Sequence, residues 1–309
     1  MTPLLAAFDY PQFDPVLLQL GPIAIRWYGL AYMAAFAVGY ASLLRLARRG
    51  ELRVRREQVG SLVTWPVLGV MLGGRLGWWL FYHRPTPGEA EPWYEPIAMW
   101  HGGMSFHGGL LGVTAALLAW TRLHKAPLWN VADALALVTP IGLFFGRVAN
   151  FINAELVGRP TTLPWGVVYP GEPFARHPSQ LYEALLEGAL LFALLWTLRR
   201  RRGLCDGRIA AAFLAGYGLM RFGAEFARAP DDQLGFVALG WLTMGQLLSG
   251  LMVAAGALLW ACRSCRSILP PSDERKRPSV EEGASSARDS AVAHPTTWQS
   301  DAVPQRIVN

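Results

Sequence analysis

The chain has 309 residues, 52% hydrophobic and only 16% charged, well short of the roughly 25% charged content of ordinary soluble domains. A soluble enzyme is excluded as the first reading, and the membrane class leads. The net charge of +6 would suit a nucleic-acid binder, but most of the positive charge stands beside apolar runs, where it fits loop topology and anionic lipid, so no nucleic-acid partner is expected.

Windows of about 17–25 apolar residues, enough to cross a hydrocarbon core of about 30 Å, predict seven spanning helices. They fall near 22–45, 58–82, 106–122, 130–148, 180–198, 208–227 and 240–262, the third and fourth being weakest because polar residues crowd their ends. The first twenty residues hold Asp9 and Asp14 but no Lys or Arg, so the first apolar run is read as a retained span, not a signal peptide. Loops after spans one, three and five carry thirteen Lys/Arg, against four (Arg84, Arg159, Arg176 and Arg228) in the opposite loops. The positive-inside rule then puts the N-terminus outside and the C-terminus in the cytoplasm. Cys205, Cys262 and Cys265 all fall on the cytoplasmic side, so no structural disulfide is expected, and the CRSC pair at 262–265 is weak evidence for metal or redox chemistry. Three regions follow: 1–21 outside, 22–266 membrane domain, and a polar tail, 267–309, too poor in apolar residues to fold alone.

Within span two, Gly69, Gly73 and Gly77 recur every four residues and predict close approach of a neighbouring helix; Gly142 and Gly146 in span four stand in the same relation. The loop 149–178 is long, and its prolines, Trp165, Tyr169 and Phe174 suggest an ordered cap.

Arg75, Arg147 and Arg221 each lie in the last third of a span running towards the outer side, and Arg26 opens the first span at a similar level. Guanidinium groups at one depth ask for an anion. Glu183, Glu187 and Glu225 could supply it as an internal ion-pair network, and Arg26 could snorkel to headgroups. Alternatively a lipid phosphate supplies it, since a planar five-donor fork suits phosphate. His107, in SFHGG at 105–109, provides a proton acceptor near neutral pH. Ser179, after Pro178, is a candidate helix N-cap. Tyr217, Arg221 and Glu225 share one face of span six and should point inward. No GxSxG elbow or HExxH motif occurs, so neither serine hydrolysis nor metal binding is expected, and no cofactor is required.

Four blocks in order, SFHGG, GRVANFINAELVG at 146–158, RHPSQLYEALLEG at 176–188 and YGLMRF, make residues 10 to 262 resemble the bacterial prolipoprotein diacylglyceryl transferases. The resemblance implies an all-α integral membrane protein of seven transmembrane helices around a lipid-accessible central cavity, in the bacterial inner membrane, with an ordered periplasmic loop between spans four and five. It implies a transferase that moves the diacylglyceryl group of phosphatidylglycerol to the lipobox cysteine of a prolipoprotein signal peptide, the first step of lipoprotein maturation, with glycerol-1-phosphate leaving. It further implies that Arg147 and Arg221 contact the lipid phosphate, that Tyr28, Asn150, Asn153, Glu155, Gly158 and Glu225 shape the substrate site, and that His107 and Tyr217 serve catalysis. Ala149 and Ala154 stand where glycine is frequent in the family, and the tail after 266 matches nothing in it. From the residues alone, a lipid-binding scaffold, a transporter or another lipid-processing enzyme stays open.

Overall fold

The computed structural model describes residues 8–83, 92–201, 204–229, 236–238 and 240–263. These lie in one compact unit, Met1–Cys265. The expectation for the tail, 267–309, falls outside the described residues.

Seven long helices occur among the described residues: α1 Trp27–Arg48, α2 Gln58–Phe81, α3 Phe106–Leu123, α4 Leu128–Ile152, α5 Ser179–Arg199, α6 Arg208–Ala224 and α7 Met244–Cys262. Five of them, α1, α2, α4, α5 and α7, are long and apolar enough to cross a membrane. The two others fall short for reasons visible in the sequence. Helix α6 has 17 residues, and α3 has 18 with His107, Arg122 and three glycines among them. The weakness expected of the fourth segment is not found, because α4 extends at both ends to 25 residues.

The first helix starts later than its apolar run. Residues Val16–Leu20 (β2) and Ile23–Arg26 (β3) form an antiparallel hairpin, with Gly21 at φ 58° supplying the positive dihedral that so tight a turn requires. β1, Phe8–Asp9, pairs in parallel with β4, Val167–Val168, and carries the N-terminal segment onto the 149–178 loop. There Tyr10, Val167 and Tyr169 form a small buried cluster with Phe151, Ala154 and Val157. Of the three aromatics singled out in that loop only Tyr169 is buried in this cluster, while Trp165 and Phe174 are exposed. The last pair, β5 Phe236–Ala238 with β6 Leu242–Thr243, leads directly into α7.

The main core joins α1, α2, α4, α5 and α6 through side chains such as Leu43, Leu62, Leu137, Leu191 and Ile209, with Trp120 of α3 wholly buried beside them. Helices α2 and α3 meet backbone to backbone. A Cβ added at Gly69 would come within 2.5 Å of the Gly112 carbonyl oxygen, and one at Gly77 within 2.7 Å of Gly108 Cα; Cβ atoms at Gly73, Gly108 and Gly112 would overlap the facing backbone outright. The small-residue seam is thus confirmed for span two. Gly112→Val should force the two helices apart because the obstructing atoms are backbone and cannot yield, at a cost of about 1–3 kcal/mol or more. A clear drop in the thermal unfolding midpoint of the detergent-solubilised protein is expected, whereas an unchanged midpoint would refute the seam.

Gly142 and Gly146 do not repeat that arrangement, since nothing lies within 4 Å of a Cβ built at either. The four-residue spacing is the same, but among the described residues no helix backbone comes against these two glycines of α4. Gly142 instead lines an apolar cavity of about 270 Å³ between α1, α2 and α4, with Tyr32, Phe36, Gly39 and Pro66.

The cysteine expectation also needs correction. Cys262 is free, but Cys205 is disulfide-bonded; Cys265 lies outside the described residues. The expectation rested on compartment alone.

A candidate anion site at the end of helix four

Helix α4 ends in a tight reversal. Asn153 closes it, Ala154 and Leu156 adopt φ 54° and 55°, and the Glu155 amide donates back to the Asn150 carbonyl at 2.9 Å. Positive φ at two non-glycine residues is unfavourable and persists only where surroundings impose it. Those surroundings are specific. The Tyr10 hydroxyl sits 2.9 and 2.6 Å from the carbonyl oxygens of Phe151 and Ile152. Gln180 donates to the Glu155 carbonyl at 2.5 Å, and Tyr169 donates to Gln180 at 3.1 Å. Ser179 donates to the Leu156 carbonyl at 3.2 Å, which is its role here; the residue preceding α5 is Pro178, so Ser179 is the first helical residue, not the N-cap. The side-chain cap occurs instead at Ser105, whose Oγ accepts from the Gly108 amide at 3.2 Å. The RHPSQ block is therefore the scaffold of the GRVANFINAELVG block.

The side chains of Asn150 and Asn153 both donate to the exposed Glu155 carboxylate, each at 3.3 Å. Gly158 is buried with its amide on the His177 carbonyl at 3.1 Å, and a Cβ there would lie 2.5 Å from two backbone oxygens, of Ala227 and His177. Its place in the site is to let three strands of chain close behind it. Burial holds the neighbouring His177 imidazole below its ordinary pKa.

One turn back along α4, Arg147 enters a group of charges contributed by α5 and α6. Its Nε lies 2.6 Å from Glu183 Oε2, an ion pair by distance without hydrogen-bond alignment. The other oxygen of Glu183 accepts from Arg221 Nη1 at 3.2 Å and from Arg228 Nη1 at 3.4 Å. Arg221 also meets Glu225 through Nη2 at 2.7 Å and approaches Glu187 at 3.9 Å. Tyr217, stacked on Phe213, stands a turn before Arg221 with Arg147, Glu183 and Glu187 in its electrostatic neighbourhood. The stripe of Tyr217, Arg221 and Glu225 thus faces inward as its spacing predicts. Tyr28, hydrogen-bonded to Tyr32 at 3.2 Å, comes within electrostatic reach of Arg147 and Glu155.

Burial sorts these groups. Glu183 is 1% exposed and Glu187 0%, whereas the arginine side chains at 147, 221 and 228 keep 14–19% exposure. Carboxylates form the back of the cluster and guanidinium groups its front. Removing one partner from a buried pair of this kind generally costs about 3–5 kcal/mol, because it strands the other charge. Arg221 is engaged by three carboxylates. Arg147 has one ion-pair partner among the described residues, through Nε, which leaves both of its Nη groups open.

Sequence reasoning assigned no site role to several members. Glu183 and Glu187 were visible only as candidate counter-ions. They lie around a π-helical stretch of α5, Ala184–Leu190, where Gly188 takes the backbone of Phe144 against it. Such π-bulges recur at functional sites. Glu225 is fixed from α7, where Thr243 donates to it at 3.0 Å while forming a capping box with Gln246. Gly245 leaves room for its carboxylate. The T-x-x-Q pattern before an apolar run was the available signal.

Arg75 does not join this cluster. It is fully buried; its guanidinium donates to the Gly102 and Gly103 carbonyls and to Glu95, at 3.0 Å to the backbone and 2.7 Å to the carboxylate, and it stacks over Trp78 at 4.5 Å. Common depth along a helix did not imply a common direction around it. Arg26 stays exposed in β3, as snorkelling requires. His107 sits on the first turn of α3, exposed, on a helix positioned by its glycine seam with α2, while the arginine cluster is built from α4, α5 and α6.

The Arg75 clamp has its own pH dependence. Burial alone would raise the Glu95 carboxyl, but the hydrogen bond and charge of His101, 2.8 Å away, and those of Arg75 outweigh it and hold the group below its ordinary 4.5. A depressed folded value means the clamp contributes fully above the ordinary carboxylate range and is lost as pH falls through the folded value. The unfolding midpoint should therefore fall on acidification below about pH 4.5 less steeply in Glu95→Gln than in the parent; identical slopes would refute the clamp.

A multi-pass helical membrane protein whose mostly buried arginines front a buried acidic base has the chemistry of a protein that handles an anionic group at the membrane. The comparison with known sequences narrows this. The prolipoprotein diacylglyceryl transferase family pattern matches residues 15–262. The phosphatidylglycerol–prolipoprotein diacylglyceryl transferase of Rhizobium meliloti (strain 1021) is 47% identical over 272 residues, covering 85% of this chain and 96% of that one. Proteins of the same name from Solidesulfovibrio magneticus and Rhodospirillum rubrum are 49% and 50% identical, over 83% of this chain and 97% and 94% of theirs. The chain belongs to the prolipoprotein diacylglyceryl transferase family.

Proposed function

We propose that this chain transfers the diacylglyceryl group of phosphatidylglycerol to the thiol of a prolipoprotein lipobox cysteine, with Arg147 as the principal phosphate ligand. The observation that carries the site reading is the open Nη edge of Arg147, at the front of a cluster whose other charges are paired. The family membership and the names of its relatives carry the reaction. A guanidinium fork matches a phosphodiester's two free oxygens, and in a low-dielectric site it does so strongly.

In this reading the seven helices are seven crossings of a bacterial inner membrane around a lipid-accessible cavity, with the N-terminus and the 149–178 cap periplasmic and the C-terminal tail cytoplasmic. The thirteen-to-four asymmetry of loop cations supports the orientation. The apolar cavity between α1, α2 and α4 supports a lipid path. Tyr32 lines it one turn from Tyr28, and Gly142 lines it five residues before Arg147, about 7.5 Å along the helix. An acyl chain lying there would place its phosphate at Arg147.

The transfer forms one S–C bond and breaks one C–O bond. His107 accepts the thiol proton; sulfur attacks the glycerol carbon esterified to phosphate; the bonding electrons leave with the phosphate oxygen. The proton finally resides on glycerol-1-phosphate. Arg147 and Arg221 stabilise the charge that gathers on the departing phosphate, and Tyr217 and Glu225 keep Arg221 in place. Tyr28, Asn150, Asn153 and Glu155 shape the entrance, with Gly158 behind them. A thiol pKa of about 8.5 makes a base useful at neutral pH.

The test is direct. Purified protein is incubated with phosphatidylglycerol and a lipobox peptide, and the peptide is weighed. A gain of one diacylglyceryl group on cysteine is expected; an unmodified peptide with bound lipid would instead favour a lipid-binding or transport role.

A further inference from the structure

The hub of the charge cluster is a residue to which the proposed chemistry gives no task. Glu183 is 1% exposed, yet its two oxygens meet Arg147 Nε at 2.6 Å, Arg221 Nη1 at 3.2 Å and Arg228 Nη1 at 3.4 Å. A single carboxylate therefore contacts guanidinium groups from α4, from α6 and from the residue four beyond the end of α6. Each of those side chains is long and rotamer-rich, and each keeps some exposure.

We propose that Glu183 is the positioning residue of the phosphate site: by holding Arg147 through Nε it turns the open Nη edge of that guanidinium towards the lipid phosphate. The inference rests on the phosphate reading above and goes beyond it. The three arginines do not depend on Glu183 equally. Arg221 has alternative anions in Glu225, at 2.7 Å, and Glu187, at 3.9 Å. Arg147 has no second ion-pair partner among the described residues. Loss of the Glu183 charge therefore acts through Arg147, whose fork is then free to swing. Glu187 does not replace it, because both of its oxygens lack hydrogen bonds and its contact is with Arg221.

A double-mutant cycle separates this role from support of the fold. Glu183→Gln alone should lower kcat/KM for transfer by about 100-fold, the loss that a misplacement of about 1 Å produces. In an Arg147→Lys background, where no fork remains to be oriented, the same change should cost less than about 5-fold. The cycle is read a second time in phosphatidylglycerol affinity in nanodiscs, so that a slow arm does not hide the coupling. Fold-changes that multiply within a factor of about two in both readouts would overturn the proposal, since a general loss of folded protein multiplies in this way. Should Glu183→Gln fail to accumulate, Glu183→Asp keeps the charge but withdraws the carboxylate by one methylene, and enters the same cycle with the same two outcomes. The phosphate reading has its own separate failure, an active Arg147→Ala enzyme.

Discussion

Arg147→Ala should abolish diacylglyceryl transfer, with a loss of at least about 10³-fold, the upper range for removing one preorganised donor from a developing anion. The expectation follows from position as well as charge. Arg147 lies in the last turns of α4 at the front of the cluster, 19% exposed, bound on one side to Glu183 and open on the other. Its removal takes away the phosphate's fork and deprives a buried carboxylate of a partner. Arg147→Lys separates the two effects, because lysine keeps the charge but not the bidentate geometry. It should recover lipid binding better than transfer. Turnover of Arg147→Ala within tenfold of the parent would rule out the phosphate role.

His107→Gln is expected to lower transfer by about 10²–10⁴-fold, the usual contribution of a general base, while phosphatidylglycerol affinity is kept. The pH profile gives the sharper reading. With the imidazole in place, thiolate formation is assisted at neutral pH; without it the rate should climb with pH towards the thiol's own value of about 8.5. His107 is exposed at the first turn of α3, on a helix packed backbone to backbone against α2. Near-parental turnover in the variant, or a flat profile, would remove His107 as the base.

The helices were legible as apolar runs: each of the seven runs holds a long helix, and five of these are long and apolar enough to cross a membrane. Their precise ends were not. The hairpin at 16–26 and the extension of α4 are set by pairing and by Tyr10, which touches α4 from 141 residues away. Arg147, Arg221 and Glu225 were legible as charges out of place in apolar helices. Arg75 had the same signature and a different fate, because its direction is fixed by a loop, and no linear pattern reports that Glu95 will come back to meet it. Gly142 and Gly69 likewise share a spacing, but only Gly69 faces a glycine on another helix. The role of Glu183 was hidden for the opposite reason: as one of two acids at helical spacing it looked like a counter-ion, and only the convergence of three arginines marks it as a hub.

The central claim is that the open edge of Arg147 receives the lipid phosphate. The most direct test is an experimental structure of the protein with phosphatidylglycerol in a nanodisc. The phosphate oxygens should lie about 2.7–2.9 Å from the Nη atoms of Arg147, with its Nε still on Glu183. A phosphate bound elsewhere, with the Nη edge of Arg147 left empty or turned onto a protein carboxylate, would contradict it.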